Sequence, residues 1–121
     1  MLYIVVNATN INYETALMKA LEYGYFEIVK YLVKHGADVN ARDNTNKTAL
    51  MYASKWGQLE MVKCLVEHGA DINTKDIDDK TALKYAFENH FSEIVRYLAK
   101  KSFRRKICAL FCIIIPSNIY S

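Results

Sequence analysis

The chain has 121 residues, 52% apolar and 24% charged, the profile of one folded domain with a modest core rather than of a disordered or fibrous chain. Its formal charge of +3 is uneven, because five basic residues from Lys100 to Lys106 face no acid and residues 1–99 carry 11 basic against 13 acidic side chains, which argues against a general nucleic-acid-binding role. Cys64, Cys108 and Cys112 come without a secretory leader, and no apolar run nears the roughly 20 residues that span a bilayer, so a reducing, cytoplasmic setting is expected.

Val6-Asn7-Ala8 stands 33 residues before Val39-Asn40-Ala41, so residues 3–10 read as the tail of a preceding unit. Thr15-Ala16-Leu17, Thr48-Ala49-Leu50 and Thr81-Ala82-Leu83 keep the same spacing, as do Gly24 and Gly57, His35-Gly36-Ala37-Asp38 and His68-Gly69-Ala70-Asp71, and Asn40 and Asn73. A fixed period of this size signals stacked repeats, because one such unit cannot bury its apolar face alone.

In the first unit the spacing predicts helices over Ala16–Tyr23 and Phe26–Lys34. Thr15 suits an N-cap, while Gly24 and Gly36 suit the left-handed residue that closes a last turn. Ala16, Leu17 and Ala20 form one apolar stripe, and Ile28, Val29, Leu32 and Val33 another. The second unit repeats the plan: Thr48 caps a helix to about Lys55, Gly57 turns the chain, and Leu59, Met61, Val62, Leu65 and Val66 face the core before Gly69. Ala20 and Ala53 point to close helix approach. The third unit begins at Asp76 and then drifts. His90 replaces Gly24 and Gly57, Ser102 replaces Gly36 and Gly69, Ile94, Val95 and Leu98 keep the core face, and the pattern is lost after Lys101.

Thr48-Ala49-Leu50-Met51-x-Ala53, Gly57, Glu60-x-Val62-x-x-Leu65-Val66 and Gly69-Ala70-Asp71-Ile72-Asn73 resemble the ankyrin repeat, with its Thr-Pro-Leu-His-x-Ala and Gly-Ala-Asp-Val-Asn signatures. The resemblance covers about residues 5–101 in three copies. Ala16, Ala49 and Ala82 replace the family's Pro, and Met18, Met51 and Lys84 replace its His; the resemblance implies that losing the His costs stability without changing the fold. The expected class is mainly α, an ankyrin-like solenoid of about three stacked helix-turn-helix repeats with β-hairpin loops. A partial hairpin over 1–10 and repeats over about 10–42, 43–75 and 76–101 form the domain 1–101, and 102–121 a basic-then-apolar tail.

Nothing in the sequence signals catalysis, a cofactor or a metal. His35 and His68 sit where a helix C-terminus favours a capping cation, in separate units that cannot supply four ligands to one ion. Cys108 and Cys112 have no neighbouring ligands, and Asp76, Asp78 and Asp79 lack the glycine and distal glutamate of a calcium loop. No phosphate loop and no nucleophile with an ordered base is present, so an enzyme is not expected.

Family members bind proteins at their hairpin tips and along the concave face of the first helices. Carried over by position, the resemblance implies a binding surface of three rows: Ile11, Asn12, Glu14, Glu22 and Tyr23; Asn44, Thr45, Lys47, Lys55 and Trp56; and Ile77, Asp78, Lys80, Glu88 and Asn89, with Arg42 and Lys75 where the second and third hairpins begin. A surface of mixed sign with aromatic points suits a protein partner better than a nucleic acid. Trp56 carries two readings, an aromatic anchor for a partner or a ring packed on Tyr23. The tail carries three: a cap on the last unit, a membrane contact, or the remnant of a longer array. The expected function is therefore a non-catalytic protein-interaction module, monomeric or weakly associated end to end. The alternatives are a membrane-associated adaptor or effector held by the tail, and a decayed fragment.

Overall fold

The computed structural model describes residues 6–111, with side chains through Ser102. Residues 1–5 of the partial hairpin and 112–121 of the tail, with Cys112, lie outside the described residues. Among the described residues six helices follow one another: α1 (Ala16–Tyr23), α2 (Phe26–Lys34), α3 (Ala49–Lys55), α4 (Leu59–Glu67), α5 (Ala82–Glu88) and α6 (Ser92–Phe111). They form three units, α1–α2, α3–α4 and α5–α6. Helices α1, α3 and α5 pack side by side as one layer, and α2, α4 and α6 as a second.

Local chemistry sets these bounds. The hydroxyls of Thr15, Thr48 and Thr81 accept from the amides of Met18, Met51 and Lys84 at 3.2, 3.4 and 3.2 Å, so each inner helix starts on the same side-chain cap. Past the second helices, the ring Nδ1 of His35 and of His68 lies 2.8 Å from the carbonyl of Tyr31 and of Cys64. A carbonyl only accepts, so Nδ1 carries the proton. Gly36 and Gly69 then leave at φ 94°. In the third unit Ser102 occupies that place, where its Cβ makes a left-handed exit costly by about 1–2 kcal/mol. Helix α6 does not stop there and runs on to Phe111, past residue 101 where the apolar pattern ends.

The loops between units are also set by side chains. Oδ1 of Asn10, Asp43 and Asp76 accepts two amides each, from residues two and four further on, at 2.9–3.0 Å. Tyr13, Asn46 and Asp79 each take a left-handed backbone at φ 61–63°. The expected β-hairpins are therefore tight turns. Among the described residues they contain one isolated antiparallel bridge, Thr9 to Thr15, and no strand.

A second oxygen of each loop aspartate reaches the helix layer: Tyr52 donates to Asp43 Oδ2, and Tyr85 to Asp76 Oδ2. Burial pushes both carboxyls up, but the tyrosine hydroxyl and the loop amides outweigh it and hold both pKa values below the usual range. Burial and the same carboxylates push both tyrosines up.

The core follows the period. Leu17 and Leu50, Val29 and Val62, and Ala20, Ala53 and Ala86 are buried at equivalent positions, each large side chain contributing about 1.5–3 kcal/mol. Met18 and Met51, which stand where the family has His, are fully buried. Two expectations fail: Ala16 and Ile28 are exposed, whereas their counterparts Ala49, Ala82, Met61 and Ile94 are buried. The spacing places all of them on one helix side, but among the described residues only the later units have a preceding helical pair packed against it.

The units are joined by hydrogen bonds that repeat with the sequence. Asn40 donates from Nδ2 to the Gly69 carbonyl at 3.1 Å and accepts from the Asp71 amide at 2.7 Å. Asn7 does the same to Gly36 and Asp38 at 3.2 and 2.7 Å. On the loop side, the amide of Asn44 donates to Asn12 and that of Ile77 to Thr45, at 2.9 and 3.0 Å.

Two consequences are measurable. Gly24 and Gly57 share a left-handed φ of 74° and 72°, but a Cβ on Gly57 would lie 2.6 Å from the Phe91 ring while one on Gly24 meets nothing within 4 Å. Gly24→Ala should therefore cost about 1–2 kcal/mol and Gly57→Ala clearly more in a urea melt. Equal costs would show that the Phe91 contact is absent.

Asp43 and Asp76 have depressed pKa values, so their stabilisation is complete above the ordinary carboxylate range and is lost as pH falls through the folded value. Asn at both sites can keep the loop bonds, as Asn10 does, but removes the charge. Asp43→Asn/Asp76→Asn should lower Tm at pH 7, and the gap to wild type should close below about pH 3–4. A gap that stays constant with pH would contradict this origin.

Candidate binding face

The inner helices and the loops before them set equivalent side chains in rows across the three units. At the loop tips Ile11 and Ile77 are 94% and 62% exposed with exposed Asn44 between them, a row of two aliphatic chains around an amide. In the next row Asn12 and Asp78 are exposed, but Thr45 is committed to its own loop, its hydroxyl donating to Asp43 at 2.8 Å. Arg42 is exposed, and Lys75 lies 3.5 Å from Asp79.

The next positions are brought together as charge clusters. In the first unit Glu14 and Glu22 converge on Lys19, whose ammonium is 3.1 Å from each. Asn10 and then Lys19 pull Glu14 below its ordinary pKa, and the two glutamates push Lys19 up. In the third unit Lys80 meets Glu88 directly at 3.1 Å, which pushes Lys80 up. Lys19 is the member that sequence reasoning missed. Its spacing to Glu22, three residues on a helix, was the available signal.

In the second unit the same two positions hold Lys47 and Lys55, and Tyr52 stands in place of Lys19. The Lys47 ammonium lies 6.0 Å from the centre of the Tyr85 ring, and that of Lys55 lies 5.4 Å from the Trp56 ring.

Trp56 is 50% exposed and Tyr23 63%. The Tyr23 ring tilts against Tyr25 at 5.9 Å. Asn89, the third of that row, turns back to its own helix, donating to the Tyr85 carbonyl at 2.8 Å. Beside Trp56 lies an open depression of about 390 Å³ lined by Phe26, Gln58, Leu59 and Met61. Gln58 donates to the Leu21 carbonyl at 2.8 Å, so this wall is tied to the first unit.

Among the described residues no three His, Cys, Asp or Glu side chains are placed to hold a metal ion, and no helix is long and apolar enough to cross a membrane. Burial pushes up the thiol of Cys64, which does not favour a reactive thiolate.

Comparison with known proteins agrees with this geometry. The family model for ankyrin repeats (3 copies) matches residues 2–76. An ankyrin repeat protein of Acanthamoeba polyphaga mimivirus, R886, is 53% identical over 30 residues, a stretch that spans 25% of this chain and 23% of that protein.

Proposed function

Because this chain belongs to the ankyrin-repeat family, whose repeats are generally non-catalytic protein-interaction modules, we propose that it binds a protein partner through its hairpin tips and the concave face of α1, α3 and α5. The observation that carries this reading is the half-exposed Trp56. An indole left in water forfeits a large part of its burial energy, and aromatic side chains of this kind dominate binding at interfaces. Trp56 stands next to Lys55 on the same row as the exposed Tyr23, with the aliphatic tips Ile11 and Ile77 at the far side of the face. The partner surface comprises Ile11, Asn12, Glu14, Glu22 and Tyr23 of the first unit. From the second it takes Asn44, Lys47, Lys55 and Trp56, and from the third Ile77, Asp78, Lys80 and Glu88, with Arg42 and Lys75 at the rim. Thr45 and Asn89 belong to the same rows, each also bonded within its own unit as Glu14, Glu22, Lys80 and Glu88 are.

A rigid backbone with many independent side-chain positions is what a stack of repeats offers a partner, since each unit can vary its surface without moving its neighbours. In a pull-down from lysate, wild type should capture a protein that Tyr23→Ala/Trp56→Ala releases, with the helical circular dichroism of both chains unchanged. Capture of the same protein by both chains would move the site off this face.

A further inference from the structure

We infer that the central unit of this face is built to take a single acidic side chain of the partner, held between Lys47 and Lys55, from a segment that is otherwise neutral or basic. The inference deepens the proposed function and rests on the same binding face.

The repeat supplies its own control. In the third unit the side chains at the two positions equivalent to Lys47 and Lys55 meet, Lys80 to Glu88 at 3.1 Å. In the first unit those positions hold two acids, and Lys19 closes both at 3.1 Å. These positions therefore converge wherever the unit's own charges allow it. The central unit has cations at both and no acid of its own that closes them; Lys47 also feels the charge of Asp76 in the next loop, whose carboxylate is already taken by the Tyr85 hydroxyl and the loop amides. Among the described residues neither Lys47 nor Lys55 has a carboxylate within 4 Å. Tyr52, in the place of Lys19, turns its hydroxyl to Asp43 and leaves the gap. Both ammoniums instead lie over rings, Tyr85 and Trp56, a contact worth far less than a charge-assisted hydrogen bond to a carboxylate. An incoming carboxylate would play toward two lysines the part that Lys19 plays toward two glutamates.

The flanks decide what carries the anion. Glu14 and Glu22 lie on one side and Asp78 and Glu88 on the other, within about one Debye length of the gap at adjacent-helix spacing. A polyphosphate backbone or an anionic membrane would meet these acids as well as the lysines. One carboxylate in a peptide segment meets only the lysines. An extended chain rises about 3.3 Å per residue and neighbouring helices stand about 8–10 Å apart. A segment crossing the units therefore meets successive units about every third residue. The first unit's cluster keeps one net negative charge, so the matching pattern is an Asp or Glu with Lys or Arg three residues away, and Trp56 beside the acid takes an apolar neighbour.

The test is selection of a random 12-residue peptide display library on the full chain, followed by affinity measurement of the enriched peptides as synthetic compounds. Enriched sequences should share one Asp or Glu with a basic residue about three positions away. Lys47→Gln/Lys55→Gln should weaken them at least tenfold, and Lys47→Glu/Lys55→Glu should restore binding to a peptide whose acid is changed to Lys. Melting curves of both variants check folding. A library that enriches nothing, or only sequences without an acid, overturns the inference, as does unchanged affinity in the Gln variant or enrichment of polyacidic runs. If Tyr23→Ala/Trp56→Ala abolishes binding while the lysine variants keep it, the face stands and only the acid pocket fails. If neither pair matters, the binding reading fails with it.

Discussion

Asn40 joins the first unit to the second with two bonds from one side chain, donating to Gly69 and accepting from Asp71. The rows of the candidate face depend on that kind of link. Each inner helix has seven or eight residues, too short to be stable alone in water, so its direction is fixed by its neighbours. The asparagines fix the units at one end and the loop amides of Asn44 and Ile77 fix them at the other. Between these ties Leu50, Met51, Val62 and Leu65 fill the space without exposure. The result holds side chains from three units, 33 residues apart in sequence, in rows that one partner can meet at once.

The first and third units show how equivalent positions differ where one neighbour lies outside the described residues. At the first unit, Ile28 and Ala16 are exposed, and among the described residues no helical pair packs against that side. At the third, Phe87 is 64% exposed where Leu21 and Ser54 are fully buried in the earlier units. Ser102, standing where glycine ended the earlier outer helices, donates its hydroxyl to Asn73 Oδ1 at 3.4 Å. The third unit is thus tied to the second, and its outer helix runs on past the place where the earlier outer helices ended.

Much of this was legible in the sequence because its signals are local. Thr15 and Thr48 cap as read, and the bounds of α1 and α2 fall where the glycines and the apolar spacing put them. What was not legible is relational. Helical spacing places Ile28 on the core side of α2 but cannot say whether a neighbour arrives to cover it. The bond from Tyr52 to Asp43 joins residues nine apart across a turn, a distance that no helix or strand period marks. On the face, the rows themselves follow from the period, but their charge clusters do not. The spacing of Lys19 to Glu22 marks one of its partners, but Glu14 before the helix carries no such mark, and the gap at Lys47 and Lys55 appears only by comparison with those neighbours. Asn89 and Thr45 also bond within their own units, which their residue types alone do not announce.

Amide hydrogen exchange of Asp71, in wild type and in Asn40→Ala, tests most directly that the units stand as one stack through these links. In wild type the Asp71 amide should exchange slowly, at the rate of global opening. In Asn40→Ala it should lose that protection, and the amides of α5 should speed up with it, for a global loss of about 1–2 kcal/mol. If Asp71 exchanges in wild type as fast as an open loop, or if the substitution leaves α5 untouched, the units are not held together as described.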